Sequence, residues 1–501
     1  MPAQRTKLSQ GVALPAGFTG SSLLHRVLKD AIAQYPDVFG SLRIPERSDA
    51  FKAEFGDLLT RFEAARVSST RRSEVARFLF TQSQQALRFR RGEEDVPLAE
   101  WLSVERPSAA LEYGTHAGDP QFQVAVPFGG RVYRGAEVLS LVDRLTCKAA
   151  LSASAAAGLR WMVEHVELQG GRLDLRGQRF VLLGAGAELA PTEALLRAGA
   201  TVLWVDLSSP EALTKRCGGG LVSAQGASDL LTAPEGVAAA IRTFANQHGP
   251  VHMGLFAYAA GESQEWRLCA AMNSILTHMA PSDVASAALF ISPTAPHVRQ
   301  PEAEAAAAAQ LAERSVWKGM LTRAGMLPQP GAVGEGELRV ARAIVSIQGV
   351  SYQAAQYISK IAAAETWATH GIDLSAQQAR PLLVSANVAG ITRTRSLSHP
   401  LFEAAFVGAP HFGVEIFEPA TTAALSGLLM LHDLLNPEAP AAQLARSESP
   451  EVEAAKLFQE QIHGGTLGLP YALEPAIRVA AAIGLGRRPQ VLWPRAQERR
   501  A

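Results

Sequence analysis

Between Arg179 and Leu207 the chain reads RFVLLGAGAELAPTEALLRAGATVLWVDL, and no other stretch limits the choice of fold as strongly. Phe180 to Leu183 form a short apolar run that stops at Gly184 and Gly186, after which Leu189, Leu195, Leu196 and Ala200 recur at the spacing of a helix laid against a sheet. Thr201 to Val205 are rich in β-branched residues and end at Asp206. A strand, a glycine turn, a helix and a second strand tipped by an acid make a β-α-β unit, which in a parallel sheet can hold a dinucleotide. Glycines permit the tight turn, N–H groups at the helix start face phosphate, and the acid accepts hydrogen bonds from ribose hydroxyls. Gly184, Ala185, Gly186 and Asp206 are therefore candidate cofactor contacts. The pattern departs from G-x-G-x-x-G, because Leu189 stands at the third glycine position and Ala190 supplies the small residue. Glu188 is expected in the first helical turn, where it favours the helix dipole but repels a pyrophosphate. A purely structural β-α-β unit is the alternative.

The 501 residues allow two or three domains, and 48% hydrophobic residues suffice for sizeable cores. Forty-seven Lys and Arg balance 47 Asp and Glu, which leaves no overall field to attract nucleic acid or an anionic membrane. Cys147, Cys217 and Cys269 lack C-x-x-C spacing, and His116 and His165 have no partner at ligand spacing, so neither a disulfide framework nor a metal site is expected. No apolar run approaches the length of a membrane helix or a secretory signal, and the cytoplasm is the expected location.

From about Thr19 to Arg91 apolar residues recur every three or four positions, which predicts helices. Arg71, Arg72, Arg77, Arg88, Arg90 and Arg91 are expected on their solvated faces. Phe122 to Phe128 and Arg131 to Arg134 flank Gly129-Gly130 as a hairpin, and a helix is expected from Ala136 to His165. Gly170-Gly171 suggests a boundary between a mainly helical region, residues 1–170, and the remainder, residues 171–501.

Beyond Asp206 strands and helices keep alternating. Asp229 precedes a helix starting near Pro234, and His252 to Tyr258 form a strand ending at Ala259-Ala260-Gly261. A helix carrying Asn273, the strand SAALFIS ending at Ser292, SYQAAQYISK and PLLVSANVAGITRTRS follow in order. Over roughly residues 177 to 430 this succession resembles the short-chain dehydrogenase/reductase family. The resemblance implies an α/β fold with a doubly wound, Rossmann-like parallel sheet, a helical insertion at about 293–349 and a C-terminal extension. It implies that Asp229 and Leu230 contact adenine, that Ala260 and Gly261 border the cofactor, and that Asn387, Gly390 and Thr392 pack at the nicotinamide end. Asn273 and Ser292 take the family's relay and strand-end positions.

The family's Y-x-x-x-K pair is altered here. Tyr352 has Gln356 four residues on, whereas Lys360 has Tyr357 three residues back. Tyr357 and Lys360, at (i, i+3) on one side of a helix, are the candidate catalytic pair, and a packed tyrosine beside a solvated lysine is the alternative. The function implied is hydride transfer between a nicotinamide cofactor and a carbonyl or alcohol, with Asp206 favouring NAD over NADP. The alternative is a catalytically inert protein of the same fold that binds a dinucleotide or serves in assembly. A small-molecule substrate is the expected partner, and a homo-oligomer is left open.

Overall fold

The computed structural model describes residues 10–115, 119–214, 219–259, 261, 263–375, 380–394, 397 and 400–488. It is a mixed α/β structure around one seven-stranded sheet. In chain order the strands are β1 (Leu111–Thr115), β2 (Arg179–Leu183), β3 (Thr201–Val205), β4 (Gly220–Ala224), β5 (Val251–Leu255), β6 (Val284–Ile291) and β7 (Leu383–Val388). Across the sheet they lie in the order β7-β6-β5-β2-β3-β4-β1. Every neighbouring pair is parallel except β1 with β4.

The apolar runs are explained by burial on both faces. In β2, Val181 and Leu183 join one core cluster while Phe180 and Leu182 join the other, as the two-residue period of a strand requires. The first cluster also holds the helices Pro234–His248 and Gln264–Thr277. The second holds Glu137–Cys147, Ala153–Leu168 and Pro419–Leu435.

The N-terminal region is mainly helical, and it shares these cores. Leu23, Phe62 and Phe80 pack in the cluster that contains Val181, and β1 extends the sheet by pairing with β4. The hairpin Ala125–Phe128/Arg131–Arg134 turns at Gly129 and Gly130, whose φ values of +60° and +78° suit a primed turn. The helix expected from Ala136 to His165 is instead two helices. Ala149 lies at φ +48° between them, and Ser152 caps the second through the N–H of Ala155. Among the described residues no helix is long and apolar enough to cross a membrane.

Candidate functional site

At the carboxyl ends of β2, β5, β6 and β7 lies a cavity of about 690 Å³. It opens where β2 and β5 are neighbours and the chain winds away on either side, the place where parallel sheets expose their strand ends to ligands.

One wall is the turn after β2. Gly184 has φ +89°, and a Cβ there would stand 2.2 Å from the backbone nitrogen of Ala257, so this turn fits against the one after β5 only as glycine. The N–H of Gly186 donates to Asp206 Oδ2 at 3.0 Å, while Oδ1 accepts from the N–H and hydroxyl of Ser208 at 2.8 and 2.6 Å. Asp206 therefore braces the glycine turn with both oxygens. The helix that follows begins only at Thr192, after Pro191. A residue before proline avoids the α region, so Ala190 ends the extended turn. Glu188 consequently sits in that turn and not in a helix, and with Gly186, Ala187 and Leu189 it lines the cavity. Ala185 is buried, and its carbonyl accepts from the Thr192 hydroxyl at 2.6 Å.

The opposite wall is built on the helix Val350–Gln356 and its continuation. Tyr352, Gln356 and Lys360, each four residues from the next, all face the cavity. Tyr352 and Ser292, which follows β6, both line the cavity, and burial raises the Tyr352 phenol well above its ordinary pKa, an effect the neighbouring Ser292 side chain partly offsets. Ser292 shares a hydrogen bond with Thr294 at 2.8 Å, and its N–H donates to Gln356 Oε1 at 3.0 Å. Glu265 accepts from the N–H of Ala259 at 2.8 Å, and burial raises its carboxyl, an effect the nearby Lys360 partly offsets. Lys360 Nζ donates to the carbonyl of Phe290 at 3.0 Å.

Tyr357 points elsewhere. It is fully buried, donates to Glu63 Oε2 at 2.7 Å and meets the ring of Phe62 edge-on. The structure thus joins Lys360 to Ser292's end of the sheet through Tyr352 and Gln356, and does not bring Tyr357 there. Local geometry is the reason: Tyr357–Ala362 is a π-helical turn, and with i→i+5 bonding positions three apart no longer share a face.

The remaining sequence candidates divide in the same way. Gly261, Gly390 and Thr392 line the cavity. A Cβ on Gly390 would lie 2.3 Å from the ring of Phe417, and Thr392 is fixed by Gly390 and Thr422. Asn273 is buried away from the cavity and donates to the carbonyl of Ser359 at 2.9 Å, tying its helix to the wide turn. Asp229 accepts from the N–H groups of Leu231 and Thr232 at 2.8 and 3.0 Å, and Leu230 is a core residue. Neither is on the cavity wall. Asn387 is buried inside β7, also off the wall, and among the described residues neither of its side-chain polar atoms has a hydrogen-bond partner. Ala260, His116 and Cys217 lie outside the described residues.

Sequence reasoning missed Tyr352 and Gln356 as members of the wall, along with Glu265. The fourfold spacing Tyr352, Gln356, Lys360 was the available signal. The segment expected as an insertion frames the cavity at both ends, through Pro293 and Thr294 and through Ile347 and Gln348. A narrow apolar slot of about 60 Å³ continues from this corner, sharing Thr294, Gln348 and Phe402 with the cavity and running between Ala405, Phe412 and Ala476.

Comparison with protein-family models, with curated proteins and with solved structures returned no match.

Proposed function

We propose that the cavity is the site of an oxidoreductase that moves a hydride between a nicotinamide cofactor, NAD in preference to NADP, and a carbonyl or alcohol bearing an apolar tail. The observation that carries the reading is the pair of hydroxyls, Ser292 and Tyr352, that line one ligand-sized cavity at the carboxyl end of a parallel strand. The order β4-β3-β2-β5-β6-β7 is that of doubly wound dinucleotide-binding sheets and supports a Rossmann-like description of the core.

The residues fit the two ends of such a cofactor unequally. Gly261, Ala389 and Gly390 leave space at the end near Ser292. At the turn after β2 the N–H of Gly186 is already engaged by Asp206, and Glu188 is on the wall, so seating the diphosphate half requires the turn to release that N–H and brings phosphate beside a carboxylate.

When bound, the cofactor supplies or accepts the hydride. The chain's own part is to hold the substrate oxygen between the Ser292 and Tyr352 hydroxyls and to exchange a proton with it at Tyr352 Oη. Because burial raises that phenol, it keeps its proton at neutral pH, which suits donation to a carbonyl being reduced. Lys360, anchored on Phe290, adds positive charge to this wall, and the apolar slot receives the substrate's tail.

Glu188 and the engaged Gly186 favour a second reading, a catalytically inert protein of this fold. Calorimetry with NAD and NADH, together with NADH-dependent reduction of straight-chain aldehydes and ketones, separates the two. Turnover that falls about 100-fold or more in Tyr352→Phe supports the enzyme. Cofactor heat without turnover supports the inert module, and neither heat nor turnover ends the dinucleotide reading. Glu188→Gly is expected to tighten NADH binding by removing like charge beside the diphosphate.

A further inference from the structure

A second group of functional side chains lies outside the cavity. His432 and Asp433 are consecutive on the helix Pro419–Leu435, and Glu460 belongs to a segment running beside β7, where its carbonyl accepts from the N–H of Val388 at 3.0 Å. All three are buried, with relative exposures of 5%, 3% and 4%. One donor atom from each lies within 4.8 Å of those of the other two.

The donors are aimed from behind. Asn436 Nδ2 donates to His432 Nε2 at 2.8 Å, so Nδ1 carries the ring proton and donates to Glu460 Oε1 at 2.7 Å, a proton that a bound cation would displace. Ser385 donates to Asp433 Oδ2 at 2.6 Å and fixes that carboxylate. Carboxylate ligands of metals are commonly held from behind in the way Ser385 holds Asp433. Glu460 Oε2 is buried with no hydrogen-bond partner among the described residues. Space at this point depends on Gly158 in the middle of the helix Ala153–Leu168, because a Cβ there would stand 2.8 Å from both Glu460 Oε1 and His432 Nδ1. Two carboxylates are thus buried side by side, and among the described residues no lysine or arginine pairs with either. Buried anions without a compensating cation are strongly disfavoured.

We propose that His432, Asp433 and Glu460 bind one first-row divalent cation, zinc in the first instance with manganese as its competitor. One imidazole and two carboxylates form a mixed nitrogen and oxygen set, which suits these ions better than calcium or magnesium, which favour all-oxygen shells, or copper(I), which favours sulfur. None of the three residues lines the cavity, so the ion's role is structural. It joins the helix Pro419–Leu435, β7 through Ser385, and the strand-like segment at Glu460. The sequence held no sign of it, since Glu460 is 28 residues from His432 and the motif spacings that betray metal sites are absent.

The test uses the tag-free full-length chain. Elemental analysis is expected to find about one zinc or manganese per chain, either as purified or after chelation and reloading. Reloading is expected to raise Tm by roughly 3 °C at a hundredfold excess over Kd. Asp433→Asn and Glu460→Gln should lose both the metal and the Tm response. If those variants do not fold, the cobalt-loaded wild-type chain decides: a paramagnetically shifted imidazole resonance supports the site and its absence overturns it. A chelated chain that takes up none of zinc, manganese or cobalt, or variants that retain the metal, likewise overturn the assignment.

Discussion

The ionic cluster around Arg66 and the cluster around His432 are both buried, yet among the described residues only the first contains arginine. Arg66, 0% exposed, holds Glu63 with two hydrogen bonds of 2.7 and 2.8 Å and Glu365 with one of 3.0 Å. Arg72 grips Glu365 with two more, both of 2.9 Å, and Ser73 and Tyr357 add their hydroxyls. Burial alone would raise the Glu365 carboxyl, but the two guanidinium groups overcome it and hold the pKa down to about 2. Asp433 and Glu460 have only one imidazole between them, and burial raises both carboxyls. The first cluster is electrically complete within the chain. The second, among the described residues, has no guanidinium or ammonium partner, and the proposed cation would complete it.

The largest effect that could break this contrast is expected from Arg66→Met. It leaves Glu63 buried against Glu365 with fewer cationic partners and should cost about 3–5 kcal/mol in urea denaturation at neutral pH. A cost below about 1 kcal/mol would mean that water reaches the cluster. Acid gives the next effect. A carboxyl depressed in the folded state contributes stability in full above its unfolded pKa and loses it as pH falls through the folded value. The difference between wild type and Glu365→Gln, about 3 kcal/mol at neutral pH, should therefore shrink between pH 4.5 and pH 2.

Asp433→Asn sharpens the contrast through its sign. In metal-loaded protein it should cost about 2–3 kcal/mol, the linkage lost with the ion, whereas in chelated protein it removes one of two adjacent buried carboxylates and should leave stability unchanged or raised. Paired thermal scans with and without chelator measure this. The smallest effect is expected from Tyr357→Phe, about 1 kcal/mol for one hydrogen bond to Glu63. It should leave catalytic turnover unaltered, in contrast to Tyr352→Phe.

The strands at Arg179–Leu183, Thr201–Val205 and Val284–Ile291 were legible because each carries a run of consecutive buried apolar residues, Phe180 to Leu183, Val202 to Val205 and Ala287 to Ile291. The hairpin was legible through its glycine pair. The edge strand Leu111–Thr115 was not, because it is mostly exposed and reads LEYGT, without an apolar face. Gly390, Thr392, Ser292 and Lys360 were found at the cavity because they sit at strand ends or on the helix beside them. Tyr357 was misdirected by a spacing rule that assumes a regular helix. Arg72, expected on a solvated face, is buried against Glu365, a partner 293 residues away that no local pattern could announce. Asp229 spends its carboxylate on the adjacent turn, on Leu231 and Thr232, which its place before a helix did not distinguish from a ligand contact.

The wide turn at Tyr357–Ala362 acts as a phase shift within one helical rod. Upstream, Tyr352 and Gln356 address the cavity; downstream, Glu365 addresses the arginines of the N-terminal helices. Shortening the turn by a single residue would rotate everything beyond it by about 100° and uncouple those two engagements. The extra residue is therefore what allows a single rod to serve a ligand wall at one end and an anchoring post at the other.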